Sequence, residues 1–557
     1  MMLIALLAVP LLGALASLAP PDRLGFKDDE ARTWFARALG VATSGLTLLL
    51  ALVAALLFDY DRPSHMQLGV DRAWAPAIGL RFHLGLDGVS LPLVVLTALL
   101  TFLCFLYTIK HPPSARSGRT EALPGQDAGS IADPLPVRGA DRSFTGLLLA
   151  LEVGMLGTFV ALDLVLFFVF FEVVLIPMYV VIALWGGPGR RAAAYKFILY
   201  TLLGSGVLLV GLLLIAVNAG TLDMVALAAR HGDGLSHGVQ VAAFLFVGLG
   251  LAVKAPMWPL HTWLPDAHTE APTVGSVLLA GVLLKMGTYG FVRIALPMAP
   301  EGATTWAPWL GLLAVVGIIY GALACLAQRD LKRMIAYSSV GHMGFVLLGI
   351  ATLTPIGVNA ALFGNIAHGL ITGLLFFLAG SVKERYGTGD LAELGGGMLA
   401  RAPRLASFLT FAAIAGLGLP GLAGFWGEML AMLGAYRPAA GLPRETFVTF
   451  MVFGGLGAVL TAAYFLRLLS TITHGPVRPP APAARSEPAR VFAEGSPEVS
   501  LEASSQLSVQ VPPMAAPTRY EYAAWVPLVA LILVVGLWPK ALLDLTTAPV
   551  HALLGGG

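Results

Sequence analysis

The stretch VKAPMWPLHTWLPDAHTEAPTVGS, Val253–Ser276, decides the fold. It follows an apolar run, VAAFLFVGLGLA, and puts Lys254 at the end of that run with Pro256 and Pro259 just behind it. Proline lacks the N–H that would bond the carbonyl four residues back. Pro256 is therefore expected to free the carbonyl of Ala252, and Pro259 that of Ala255. An ammonium group beside open backbone carbonyls, next to a long apolar helix, belongs in a membrane interior that shelters water or an ion path. The plainer alternative is a lysine at a helix end that snorkels to the interface.

Composition agrees with a membrane. Hydrophobic residues make up 57 % of the chain and charged residues 12 %, with a mean hydropathy of +0.81. Soluble domains carry about 25 % charged residues. Apolar runs long enough to cross a hydrocarbon core of about 30 Å recur along the chain, and in lipid they must be helices because the backbone can find partners only within itself. Fourteen helices are expected, at 2–19, 37–58, 89–109, 144–161, 163–185, 192–217, 239–259, 273–297, 306–327, 331–353, 355–382, 402–436, 444–473 and 521–546. The first run has no basic residue before it and reads as a retained span, not a cleaved signal. The fold class is an all-α polytopic membrane protein.

Lys and Arg concentrate in the odd-numbered loops, among them Arg37, Lys110, Arg190, Arg191, Lys332, Lys383 and Arg404; even loops hold few, such as Arg62, Arg230 and Arg293. The positive-inside rule then puts odd loops in the cytoplasm and both termini outside. Two Pro/Ser-rich segments, 111–143 and 475–519, cannot bury enough apolar surface to fold alone and read as mobile cytoplasmic linkers. The net charge of +2 gives no reason to expect a nucleic-acid partner.

GLGLAVKAPMW (Gly248–Trp258) and GLGLPGLAGFWGE (Gly416–Glu428) share an opening, a proline and a tryptophan, and lie in helices seven and twelve. Pro420 would free the carbonyl of Gly416 as Pro256 does that of Ala252. Units of five helices, four to eight (144–298) and nine to thirteen (299–474), have opposite orientations because five is odd, and inverted repeats with matching breaks are a mark of transporters. Residues 1–110 supply helices one to three, and 520–557 the last helix.

Several ionisable residues lie inside these spans. Glu172, in LVLFFVFFEVVLIPMYVVIALW, has too short a stem to snorkel, and Lys285 sits mid-helix in TVGSVLLAGVLLKMGTYGFV. A charge there costs about 2.5–3.5 kcal/mol on insertion scales and marks ion pathways more often than structural pairs. His342 follows Ser338 and Ser339; Asn365, His368 and Thr372 share one face of helix eleven; Glu428 follows the break in helix twelve. Each imidazole taken singly could be a hydrogen-bonded structural histidine, but together these groups form a set that can gain and lose protons. Glu152 belongs either to that set or to a helix–helix contact. Lys196 reads as snorkelling, and Asp163 as a carboxylate favoured at the start of helix five. Cys104 and Cys325 read as small apolar packing residues, since an iron–sulfur cluster needs about four thiolates. No helix pair carries histidines spaced for haem, and no phosphate-binding loop stands in context.

FFEVVLIPMYVVIALWG, the long stretch around Lys254, DLKRMIAYSSVGHMGF, NIAHGLITGLLFF and GLPGLAGFWGE resemble the antiporter-like membrane subunits of respiratory complex I. The resemblance covers nearly all the helices; the two Pro/Ser-rich segments depart from it. It implies a subunit of NADH-quinone oxidoreductase that translocates protons and holds no redox cofactor, with FMN, iron–sulfur clusters and quinone in partner subunits. It implies roles for Glu172 paired with Lys254, Lys285 as central carrier, His342 and His368 along the axis, His261 beside the break, and Glu428 as the ionisable group of helix twelve. A glutamate at 428, where lysine is usual in the L- and N-type chains, separates this sequence from both and makes those chains its expected neighbours in a bacterial inner membrane. The alternative is the D-type subunit of a multisubunit sodium/proton antiporter, with the same relay and no redox partner.

Overall fold

A computed structural model describes residues 1–18, 29–113, 140–475 and 514–555. Among them, twelve helices are long and apolar enough to cross a membrane. The shorter Met2–Leu18 and the divided pair Pro403–Gly416 and Ala423–Tyr436 bring the spans to fourteen, as expected. The spans are Met2–Leu18, Asp29–Leu57, Ser90–Thr108, Ala140–Val160, Leu164–Trp185, Arg190–Ala219, His237–Lys254 with Trp263–Glu270, Thr273–Met298, Pro300–Ala327, Leu331–Ala351, Pro355–Tyr386, the divided twelfth, Arg444–His474 and Arg519–Leu537. Several ends move by a turn or two from those read in the sequence. The centres of the two linker segments, 114–139 and 476–513, lie outside the described residues, as do Arg23, Lys27, Arg116, Arg119 and Arg138.

The seventh span stops at Lys254, earlier than the expected residue 259, and resumes as a short helix from Trp263. The carbonyl of Ala252 is not free: it accepts the N–H of Met257 at 3.0 Å. The carbonyl of Val253 is taken by the Trp263 indole N–H, also at 3.0 Å. The expectation failed because a proline removes only one donor, and the chain that turns after it brings others. The twelfth span parts at Leu417–Leu422, where Gly418 and Gly421 have φ of +80° and +94° that favour glycine.

Two small bridges match across the chain. Leu164 N–H bonds Leu222 O and Met224 N–H bonds Leu162 O; Leu331 N–H bonds Gly389 O and Leu391 N–H bonds Arg329 O. Each bridge joins an aspartate pair, Asp163 with Asp223 and Asp330 with Asp390. All four aspartates cap the helix that follows them, accepting backbone N–H bonds at its first turn. The first bridge lies after an even-numbered span and the second after an odd one, so the same device appears at opposite ends of the bundle.

The even-loop end is held by Arg293 to Asp87 (2.5 Å), His83 to Asp223 (3.6 Å) and Thr546 to Asn359 (2.6 Å). The odd-loop end is held by His111 to Glu384 (2.5 Å) and by Arg385, forked onto Glu521 at 2.7 and 2.8 Å. Residues from consecutive loops therefore gather at alternate ends, as fourteen crossings require.

Two elements lay hidden in the sequence. Gln67–Ala75 and Leu80–Leu86 form an antiparallel hairpin between the second and third spans, tied by Arg81 forked onto Asp71. The expected last helix, 521–546, is two helices, Arg519–Leu537 and Lys540–Leu553. Trp538, with φ −129° and ψ 66°, leaves the helical region because the ring of Pro539 crowds the residue before it.

Candidate functional site

The eighth span is the axis of the molecule and is buried along its whole apolar window. Glycine lets it approach the seventh: a Cβ on Gly287 would stand 2.7 Å from Leu251 O and 2.8 Å from Ala255 N. Two turns of this span, Leu279–Leu283 and Phe291–Ala295, have the wider π spacing. The first ends just before Lys285, and its Ala280 carbonyl accepts from the Lys285 ammonium. Widened turns of this kind leave backbone groups open for a side chain and recur at functional sites.

Lys285 also meets His368 of the eleventh span, with Nζ 2.7 Å from Nδ1. The His368 ring stands 5.7 Å from that of His342 on the tenth span, at 62°. His342 Nδ1 in turn lies 3.0 Å from Glu428 Oε1, on the second half of the twelfth. Four of the expected residues thus form a file, Lys285–His368–His342–Glu428, from the centre of the bundle to its twelfth span. A cavity of about 30 Å³ is lined by His342, His368 and Glu428. One water needs roughly 10–15 Å³ by the same measure, so a single water fits where the two imidazoles fail to touch. The approach of the twelfth span depends on Gly427, whose Cβ would come within 2.9 Å of Gly364 Cα.

The contacts suit proton exchange. Ammonium and imidazolium donate; the neutral amine and the bare imidazole nitrogen accept. At 2.7 Å a proton can therefore sit on either side of the Lys285–His368 contact without breaking it. The same holds for His342 and Glu428, as imidazolium–carboxylate or imidazole–carboxylic acid.

Glu172 and Lys254 are not in contact: no ion pair within 4.0 Å joins them, and Lys254 Nζ has no hydrogen-bond partner. The ammonium lies 4.7 Å from the centre of the Phe171 ring. Glu172 is within electrostatic reach of Lys254, and Ser205 of the sixth span faces its carboxylate. His261 sits at the break between the rings of Tyr320 and Tyr337, 5.0 and 6.3 Å away, with both ring nitrogens unpartnered. It does not join the file.

Other expectations resolve differently. Lys196 does not snorkel freely; it binds Asp266 at 2.7 Å. Asp163 caps the fifth span through Val165 and Leu166 N–H. Glu152 is fully buried and neither carboxylate oxygen has a hydrogen-bond partner, so it makes no polar helix–helix contact. The Cys104 and Cys325 thiols lie against the carbonyls of Val274 and Met334. Among the described residues, no group of three or more His, Cys, Asp or Glu converges as a metal site would require.

Two residues escaped the sequence reading. His268, on the half-helix after the break, is fully buried and stacked on Phe376 at 4.6 Å and 12°, with both ring nitrogens unpartnered. Its spacing of seven residues from His261 was the available signal. Lys332, counted as a loop charge, is buried, and its Nζ donates to Ala271 O at 2.8 Å.

The comparisons with known proteins agree with this arrangement. A family model described as NADH:quinone oxidoreductase/Mrp antiporter, TM, matches residues 161–460. The chain is 39 % identical over 520 residues to NADH-quinone oxidoreductase subunit M of Rhodobacter capsulatus, covering 92 % of this chain and 88 % of the other. It superposes on a chain of respiratory complex I from Thermus thermophilus with TM-score 0.76 and 29 % identity, over 99 % of this chain and 100 % of that one. A chain of the Mrp complex from Dietzia sp. matches with TM-score 0.77 at 23 % identity, over 99 % and 97 % of the two chains, which is a likeness of fold alone. On the family match and the identity with the Rhodobacter subunit together, this chain belongs to the subunit M family of NADH-quinone oxidoreductase, the antiporter-like membrane subunits of respiratory complex I.

Proposed function

We propose that this chain moves protons across the membrane as the M-type subunit of NADH-quinone oxidoreductase, and that Glu172, Lys254, Lys285, His261, His342, His368 and Glu428 carry them. The file from Lys285 through His368 and His342 to Glu428 is the observation that supports the relay. When Lys285 ammonium gives its proton to His368 Nδ1, it becomes a neutral amine. His368 then releases a proton from Nε2, through the water-sized cavity, toward His342. His342 passes one from Nδ1 to the Glu428 carboxylate, which becomes a carboxylic acid. Each group ends as it began once the next proton arrives, so the step needs no co-reactant.

Glu172 and Lys254 act as a gate on this reading. Burial and a neighbouring opposite charge act in opposite senses on an amine's proton affinity. A change in their separation, open here, would then load or unload Lys254. His261, unpartnered at the break, would serve the same end of the path. Redox chemistry takes place elsewhere: FMN, iron–sulfur clusters and quinone belong to partner subunits, and the L- and N-type chains are the neighbours that transmit their energy. The membrane is the bacterial inner membrane, with the odd-loop end cytoplasmic and both termini outside. The matching breaks and bridges support a division into inverted repeats at 144–298 and 299–474 between the flanking spans of 1–110 and 520–557.

The D-type antiporter reading predicts the same relay without redox partners. Glu428 in place of lysine counts against it, and the Mrp likeness is one of fold. Affinity purification of the tagged chain from its membrane decides between them. Flavin and iron–sulfur subunits with NADH–quinone reductase activity should come with it; an assembly lacking them but exchanging sodium for protons would favour the antiporter.

A further inference from the structure

A cavity of about 340 Å³ opens at the odd-loop end, and its wall includes His111, Glu270, Lys332, Lys383 and Glu384. Lys383 and Glu384 are exposed, so the cavity meets water there. Lys332 forms its inner wall and is only 7 % exposed. A lysine at a helix end with water beside it would ordinarily turn its ammonium outward. This one turns inward, to the carbonyl of Ala271, in the joint between the half-helix Trp263–Glu270 and the eighth span. Asp330, Glu270 and Lys383 are the charges that face it.

Behind Lys332 stands His268, within electrostatic reach of both Lys332 and Lys285. Its ring is held flat against Phe376, and both nitrogens lack a partner. A buried imidazole with two open nitrogens is costly as a structural element. It suits a group that takes a proton at one nitrogen and gives one up at the other. Lys285 then leads into the file through His368.

Resting on the relay reading above, we propose that this cavity is the port through which protons are loaded, and that Lys332 hands them through His268 to Lys285. The Lys332 ammonium releases a proton toward one nitrogen of His268 and becomes a neutral amine. The imidazolium loses a proton from its other nitrogen to the neutral amine of Lys285. Water in the cavity returns a proton to Lys332. No hydrogen bond joins either lysine directly to His268 among the described residues, so each transfer crosses a bridging water.

The test uses the whole complex in inverted vesicles, with NADH-driven proton uptake normalised to assembled complex. Lys332→Arg keeps the charge and the donors but cannot release a proton at working pH. Both Lys332→Arg and Lys332→Met should lose about tenfold or more of the uptake, within the range for removal of a proton-transfer group. Lys332→His should keep part of it, with an optimum at lower pH, because an imidazole titrates about four units below an amine. Wild-type uptake in Lys332→Arg would overturn the proposal and make the lysine a structural charge. Lys285→Met is the control: normal uptake there would reject the relay itself, whereas loss there with no loss in the Lys332 variants rejects only the port. A second measurement leaves Lys332 in place. In a background lacking Cys104 and Cys325, Lys383→Cys treated with a bulky charged thiol reagent should pump more slowly than the same vesicles untreated. Equal rates after complete labelling would show that protons enter elsewhere.

Discussion

Lys285 Nζ lies 2.7 Å from His368 Nδ1, two residues 83 positions apart in the chain. The lysine's other bond, to Ala280 O, comes from its own span, so His368 is the partner that ties the eighth span electrically to the eleventh. Lys285→Arg preserves a cation that His368 can face but removes a releasable proton. NADH-driven proton uptake per assembled complex should fall about tenfold or more. His368→Gln should match it, since an amide offers hydrogen bonds without titrating. Wild-type rates in both variants would remove this contact from the path.

Glu172→Ala should also lower uptake severely, because Lys254 then has no carboxylate within reach in any state of the gate. Glu172→Asp should keep part of it, the charge remaining with a shorter arm. If electron transfer and pumping are tightly coupled, quinone reduction falls with proton uptake. A correctly assembled Glu172→Ala complex that pumps normally would reject the gate.

Glu428 reaches His342 at 3.0 Å, and one methylene decides whether it does. Glu428→Asp should pump at a reduced rate, since a water must bridge the shortened gap. Glu428→Gln retains the hydrogen bond and loses the exchangeable proton, so it should fall to the level of Glu428→Ala. Glu428→Lys should keep part of the activity, because an amine can exchange a proton although its charge disturbs His342. Initial rates of proton uptake in vesicles separate the four. If the Ala variant pumps as well as the Asp variant, the path leaves His342 by another route.

Outside the membrane, His83 of the hairpin faces Asp223 at 3.6 Å. The Asp223 side chain, by hydrogen bonding and by charge, holds the His83 imidazole above its ordinary value. A raised folded value means that the stabilisation is fully present below the unfolded value of about 6.5 and is lost as pH rises through the folded one. Hydrogen exchange of residues 67–86 should therefore speed up as pH climbs through that window, after correction for intrinsic exchange. His83→Gln should remove the dependence. An unchanged pH profile in that variant would place its origin elsewhere.

Topology has its own test. With Cys104 and Cys325 replaced, a cysteine at the exposed Asp544 should be labelled from outside intact cells, and one at Glu393 only after the cytoplasm is opened. A cysteine at Ser496, outside the described residues, should behave like that at Glu393. The reverse pattern would invert the orientation.

The sequence by itself determined the membrane, the number of crossings and the two broken helices. Apolar runs longer than the hydrocarbon core leave the backbone no choice but helix, and Pro256, Pro259 and Pro420 interrupt bonding wherever they stand. It also exposed Glu172 and Lys285, because the insertion cost of a mid-span charge is a local property of its run. Elements with weaker local signals were lost: the hairpin at 67–86 is too short and alternating to stand out beside long apolar runs, and Lys332 looked like any loop charge. Which groups meet was decided only by the tertiary structure. His342 and Glu428 are 86 residues apart, and they touch because Gly427 lets the twelfth span close on Gly364 of the eleventh. Glu172 and Lys254, paired by resemblance, stand apart here, and the carbonyl of Ala252, which Pro256 alone would leave open, is closed by Met257 N–H. Periodicity and composition report what each helix must bury. They carry no information on the rotation and depth at which one helix packs on another, and proton transfer depends on those two quantities to within an ångström.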